Sequence, residues 1–200
     1  MLIVSLDIGL FNLGFVTLNI DINNNITWGI LKKVNIQDLT LYCRKSDCRF
    51  CHEKTFSDYI DHFCETYTEY LNKCDYILME RQPPQGFIVI QELILTRFRN
   101  KSRLISPNSV HKYYDIRGLD YDERKISSVK TAKEYCGEFA FSQINSPRQH
   151  DVADAVCQAI FFINEKLHLE RPSHVVSAIP EYAYIHDSIN WKSFEYKPRL

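Results

Sequence analysis

Hydrophobic positions along the chain change period several times, and each change predicts an element. Residues 2 to 8 form a short apolar run suited to a buried strand, and residues 15 to 20 and 26 to 34 continue as strands. The polar stretch Asp21-Ile22-Asn23-Asn24-Asn25 between them carries the side chains of an Asx turn. Residues 38 to 54 show no period and read as irregular. Phe56, Ile60, Phe63, Tyr67 and Leu71 then recur at helical spacing, with Thr55 or Ser57 available as cap. Tyr76 to Met79 is a second buried-strand pattern ending in Glu80, and Pro83-Pro84-Gln85-Gly86 breaks the chain before a helix from about Phe87 to Phe98. Leu104-Ile105-Ser106 reads as a brief strand stopped by Pro107. A helix is expected over 125 to 138 with Ile126, Val129 and Cys136 on one face. The strongest pattern is 150 to 167, where Val152, Ala155, Val156, Ala159, Ile160 and Ile163 make one apolar stripe. Beyond Pro172 the aromatic tail shows no clear periodicity.

A three-strand antiparallel meander followed by alternating helices and strands predicts an α/β fold: a mixed sheet with helices on both faces. In that layout Asp7 ends the first strand and Glu80 ends a later parallel strand. Asp151 and Asp154, three residues apart, share a helix face bordering the apolar stripe. The 200 residues carry ordinary apolar and charged content, without repeats or a dividing linker, and read as one domain over 1–200.

No apolar stretch approaches the roughly 18 residues of a membrane span. The N-terminus has neither the basic segment and cleavage site of a signal peptide nor a presequence, because the Asp7 strand starts almost at Met1. These features predict a soluble intracellular protein with no membrane partner. The formal net charge of −1 is unusual for a protein that binds phosphates, but the distribution is uneven. From Arg81 to Lys133 there are eleven basic residues against five acidic ones. Arg97, Arg99, Lys101 and Arg103 suit DNA phosphates, with a solvated face as the equal alternative. Phe87 follows the Gly86 turn and reads either as a wedge stacking on unpaired bases or as a core anchor for its helix.

Three acidic segments carry the candidate chemistry: Leu6-Asp7-Ile8-Gly9, Met79-Glu80-Arg81-Gln82 and His150-Asp151-Val152-Ala153-Asp154-Ala155. Magnesium takes hard oxygen ligands, and two-metal phosphodiester chemistry needs carboxylates converging from separate segments. The pattern points to a metal-dependent nuclease. Each acid also has a structural reading. Asp7 can cap a turn, Glu80 can pair with Arg81, Asp151 can be an N-cap, and Asp154 can be a first-turn charge. The seven cysteines are expected to be reduced. Among them Cys48-x-x-Cys51, with Cys43 and His52 beside it, has zinc-ligand spacing. Cys43 or Cys64 would have to complete such a structural zinc set, and buried or surface thiols are the plainer reading.

At Asp7-Ile8-Gly9-Leu10-Phe11-Asn12-Leu13, Glu80-Arg81-Gln82 and Asp151-Val152-Ala153-Asp154-Ala155 the sequence resembles the RuvC-type Holliday junction resolvases of the RNase H-like superfamily. The likeness is to the branch containing the poxvirus and fungal mitochondrial enzymes. It spans roughly residues 2 to 165, leaving the Cys-rich segment (38–54) as an insertion and the tail (170–200) as an extension. The resemblance implies a homodimer that binds four-way and branched DNA and nicks opposed strands, leaving 5′-phosphate and 3′-hydroxyl ends. It implies catalytic and metal-binding roles for Asp7, Glu80, Asp151 and Asp154, with Mg²⁺ as cofactor and Mn²⁺ substituting. Lys125 resembles a basic residue near the scissile phosphate, with Arg124 and Lys130 as competitors for the position. The missing presequence favours a large cytoplasmic DNA virus, hence a cytoplasmic viral replication site. The alternatives are another RNase H-like nuclease, acting on RNA–DNA hybrids or transposase-like, and a non-catalytic junction-binding module. A phosphate loop of actin-like ATPases, also similar around Asp7-Ile8-Gly9, would require a second glycine-rich half that six glycines and this length do not provide.

Overall fold

The computed structural model describes residues 1–41, 43, 48–50, 52–142, 144 and 148–167, together with the backbone of 175 and 176. Strand β1 (Leu2–Asp7) pairs antiparallel with β2 (Leu13–Ile20), and β2 pairs antiparallel with β3 (Ile26–Val34). The Asx turn between β2 and β3 forms as expected: the Asp21 carboxylate accepts from the backbone N–H groups of Asn23 and Asn25. On the other side of β1 lies parallel β4 (Tyr76–Glu80), and beyond it parallel β5 (Ser102–Ile105). A short β6 (Val175–Val176) adds to β3, giving the order β5-β4-β1-β2-β3-β6.

Strand side chains alternate between two cores, so strands buried on both faces read as continuous apolar runs. Val4, Leu6, Phe15, Ile77 and Met79 face one layer: α1 (Ile36–Leu41), α2 (Phe56–Thr66), α3 (Thr68–Lys73) and α4 (Ile88–Arg97). Ile3, Val16, Leu18, Trp28 and Leu78 face the other: α5 (Pro107–Tyr113), α6 (Tyr121–Cys136), α7 (Glu138–Ser142) and α8 (Gln149–Lys166). Helix α8 is the centre of this second layer and is fastened to β1 by buried polar groups. The Ser5 hydroxyl donates to the Ala155 carbonyl (2.7 Å), and the Gln158 amide donates to Ser5 Oγ (3.0 Å) and the Leu6 carbonyl (3.3 Å).

The structure departs from the sequence reading in several places. The helix expected over Phe56 to Leu71 is two helices, because Tyr67 leaves helical geometry while its ring stacks on Phe15 at 4.3 Å and Phe63 at 5.2 Å. Of the two cap candidates it is Thr55 that caps α2, in a reciprocal box with Asp58, as the sequence allowed. Helix α1 occupies the start of the segment read as irregular. Strand β5 starts at Ser102, and Pro107 opens α5 as its first residue, where the missing N–H costs nothing. Helix α6 starts at Tyr121, set by the Asp120–Glu123 capping box. It buries Ser128, Ala132 and Cys136, leaving Ile126 71% exposed rather than on the packed face.

Candidate active site

Parallel pairing in register places the ends of β1 and β4 side by side, with Leu6 opposite Met79, so Asp7 and Glu80 leave neighbouring central strands at the same end of the sheet. The third acidic segment reaches them through a close backbone approach. Gly14 of β2 lies opposite Asp7, and a Cβ on Gly14 would overlap the Asp151 carbonyl while standing 3.2 Å from the Asp7 Cβ. Only glycine lets the first turn of α8 sit directly on the strand pair. One turn further, Asp154 faces the same region and forms an ion pair with Lys125 of α6.

Charge sharing shows how tightly these groups are associated. Asp7 is pushed far above the usual carboxylate range by loss of water, then by repulsion from Asp154 and Glu80, partly offset by Lys125, with Asp151 adding to the repulsion. Glu80 is raised to about 7 by desolvation and by Asp154, against the pull of Lys125. The cation that offsets Glu80 is therefore Lys125 and not its neighbour Arg81. Burial pulls the Lys125 ammonium down, but Asp154 and Asp7 more than compensate, leaving it above its ordinary value. Three carboxylates facing one ammonium are under-neutralised, and hard oxygen donors of this kind suit a divalent cation such as magnesium.

Asp151 behaves differently. It lies in the first turn of α8, whose N-cap is Arg148, so the N-cap role is not its own. Its buried carboxylate accepts two hydrogen bonds from Arg148, from Nε at 2.9 Å and Nη2 at 3.2 Å. Arg148 lies outside the basic span noted in the sequence. Its i, i+3 spacing from Asp151 was the available signal. A cleft of about 150 Å³ opens beside the acids, lined by Glu80, Asp154, Lys125, Arg124, His111 and Tyr121 among others. Burial and then Arg124 lower the His111 pKa, which favours its neutral ring. His111 also escaped the sequence reading, since a lone histidine on a short helix carries no pattern.

Over residues 1–166 the sequence matches the model of a family described as poxvirus A22 protein. The chain belongs to the poxvirus A22 protein family. A comparison with curated protein sequences finds no match. Solved structures extend the likeness of this A22 family member in fold. The fowlpox virus Holliday junction resolvase is 17% identical, with a TM-score of 0.55 over 82% of this chain and 99% of that one. The fowlpox resolvase in complex with substrate Holliday junction DNA is 19% identical, with a TM-score of 0.57 over 84% and 99%. The yeast mitochondrial Holliday junction resolvase is 12% identical, with a TM-score of 0.56 over 80% and 78%. The A22 family chain thus has the RNase H-like fold of the RuvC type, as the three motifs implied.

The proposed DNA contacts lie in two places. Phe87, 40% exposed, sits at the start of α4, where its N–H donates to the Gln82 side chain, and Gln82 is in turn held by buried Gln91. Arg97, Arg99, Lys101 and Arg103 lie between the end of α4 and the start of β5. Because Arg103 pairs with Leu78 and Ile105 with Glu80, the nearest member of this group stands two residues, roughly 7 Å, from the acid end of the sheet. Arg97 forms an ion pair with Asp61 of α2, Lys101 donates to the Asn72 carbonyl at 2.8 Å, and Arg103 stacks on Tyr76 at 5.3 Å. Arg99 is exposed.

Proposed function

We propose that the chain is a Holliday junction resolvase: a metal-dependent endonuclease that nicks opposed strands of four-way DNA junctions during viral recombination or the processing of replication intermediates. The observation that carries this reading is one under-neutralised acidic site built by Asp7, Glu80 and Asp154 with Lys125 in a member of the poxvirus A22 family. Solved relatives of the same fold are named as Holliday junction resolvases, one of them with junction DNA bound.

Asp7, Glu80 and Asp154, with Asp151 as fourth acid, are the residues that would hold Mg²⁺ or Mn²⁺. When bound, the metal supplies an activated water and charge stabilisation for the leaving oxygen. Lys125 holds a full positive charge beside the acids and is placed to meet a scissile phosphate. Arg148 fixes the direction of the Asp151 carboxylate through two hydrogen bonds. Phe87 offers an exposed ring for stacking on unpaired bases, and the arginines and lysine from 97 to 103 offer phosphate contacts. Nicking two opposed strands requires two such sites, so the working unit is a homodimer. The single nuclease domain over 1–200, with its 38–54 insertion and its tail, belongs to the same proposal. So does action at a cytoplasmic replication site. Among the described residues no helix is long and apolar enough to cross a membrane.

The test is a nicking assay on synthetic four-way junctions with and without Mg²⁺, run beside RNA–DNA hybrid and linear duplex. Paired, metal-dependent nicks with 5′-phosphate ends on junctions alone are expected. Preferential cleavage of the hybrid would assign the site to another RNase H-like activity, and junction binding without nicking under any divalent metal would leave only a binding module.

A further inference from the structure

The Cys-rich segment and helix α2 build a second cluster of ligand atoms, independent of the acids. We propose that Cys43, Cys48, His52 and His62 bind one structural zinc ion. One ligand atom from each lies within 4.8 Å of the other three. Ligands at zinc distances stand about 3.3–3.8 Å apart at the corners of a tetrahedron. Cys48 Sγ and His62 Nε2 are already at 3.5 Å. Closing the others requires shifts on the order of an ångström.

The surroundings prepare these atoms for a metal. His62 is buried, and its Nδ1 lies 2.6 Å from the Asp58 carbonyl. A carbonyl only accepts, so Nδ1 carries the proton and Nε2 presents its lone pair to the cluster, the outer-shell arrangement seen around metal-bound histidines. The Phe50 N–H donates to Cys48 Sγ at 3.4 Å, which holds the sulfur in place beside His62. His52 Nε2 is buried with no hydrogen-bond partner among the described residues, an arrangement that costs free energy unless something binds the ring. The two imidazoles meet edge to face at 4.7 Å, and the Phe50 ring covers His62 at 5.4 Å.

Two thiolates and two imidazoles favour zinc over magnesium, and a closed set of four protein ligands leaves no position for substrate. The site is therefore structural. Its place in the fold agrees: α2 packs on the sheet face opposite α8, while Asp151 and Asp154 belong to α8 itself. Binding releases the thiol protons to solvent and ties the connection between α1 and α2 to the second turn of α2, replacing a core that this polar stretch cannot supply. His62 had no place in the sequence reading, because nothing in its spacing links it to Cys48. Cys64, offered there as a fourth ligand, is outside the cluster. Cys51 lies outside the described residues.

Elemental analysis of the purified full-length protein is expected to give about one zinc per chain, falling at least fivefold in Cys48→Ser and His62→Ala and unchanged in Cys64→Ser. Because the variants could fail to fold, wild-type protein stripped of zinc is titrated with Co²⁺. Intense absorption in the near ultraviolet from sulfur-to-cobalt charge transfer, with visible bands of tetrahedral strength, is expected at one equivalent. Stripping should also lower the melting midpoint by more than about 5 °C, with recovery on adding Zn²⁺. Metal-free protein that takes up no Co²⁺ and melts unchanged with added zinc overturns the proposal, as does undiminished zinc in folded His62→Ala.

Discussion

Glu80 and Asp7 are held with raised proton affinity, which makes stability depend on pH. An acid whose pKa is higher folded than unfolded binds more protons in the folded state, so stability falls as pH rises from the ordinary 4.5 through about 7. Metal-free protein should therefore melt higher at about pH 5.5 than at about pH 8. Glu80→Gln should flatten that slope and raise the midpoint at the higher pH by roughly 4–8 °C, corresponding to about 2 kcal/mol of relieved desolvation and, after it, repulsion from Asp154. A scanning fluorimetry series over pH checks both, and a wild-type midpoint that climbs with pH over this range would remove the premise. Asp7→Asn and Asp154→Asn keep shape but lose charge and metal affinity. Each is expected to lower the nicking rate by at least about 10³-fold, of the order seen when charge stabilisation is lost. Junction binding in a gel-shift assay should persist. Near wild-type cleavage by either would remove that residue from the site.

Among the elements, α8 decides whether the site assembles, since it carries two of the acids and its first turn lies on β2. The fit depends on Gly14. Gly14→Ala would drive a methyl group into the Asp151 carbonyl, backbone that cannot rotate away, so α8 must shift. A fall in midpoint of roughly 4–10 °C and loss of nicking are expected, since cleavage needs the acids in register. Gly118→Ala is the control: its added methyl meets nothing within 4 Å, and both properties should hold. Equal effects at the two glycines would mean that backbone freedom, and not the packing of α8, is what Gly14 provides.

At the scale of the whole molecule the proposed function requires a surface that holds DNA. The chain is nearly neutral, so binding depends on how its cations are distributed. Arg99 is the cleaner probe of the 97–103 group, because reversing Arg97 would also break its pair with Asp61. Arg99→Glu is expected to weaken junction binding uniformly across sequences and reduce the slope of log affinity against log salt by about one. An unchanged slope would move the phosphate track to the cleft side, where Arg124 and Lys125 line the wall.

Strand and helix periodicity made the meander, the β4 strand and α8 legible from sequence, because burial on one face or two imposes periods of 2 and 3.6 wherever a strand or helix crosses the core. The acids were legible too, since each ends a strand or opens a helix within a short motif. What escaped depends on approach through space. Tyr67 breaks its helix because of Phe15, some fifty residues away; Arg148 matters only where it meets Asp151 over the sheet; His62 meets Cys43, Cys48 and His52 only because the fold brings α2 beside them. Residue pattern determined which surfaces had to be buried and therefore which layers stack. The pairing of side chains across those layers, fixed by strand register and the close seat of α8 on Gly14, was decided only when the chain closed.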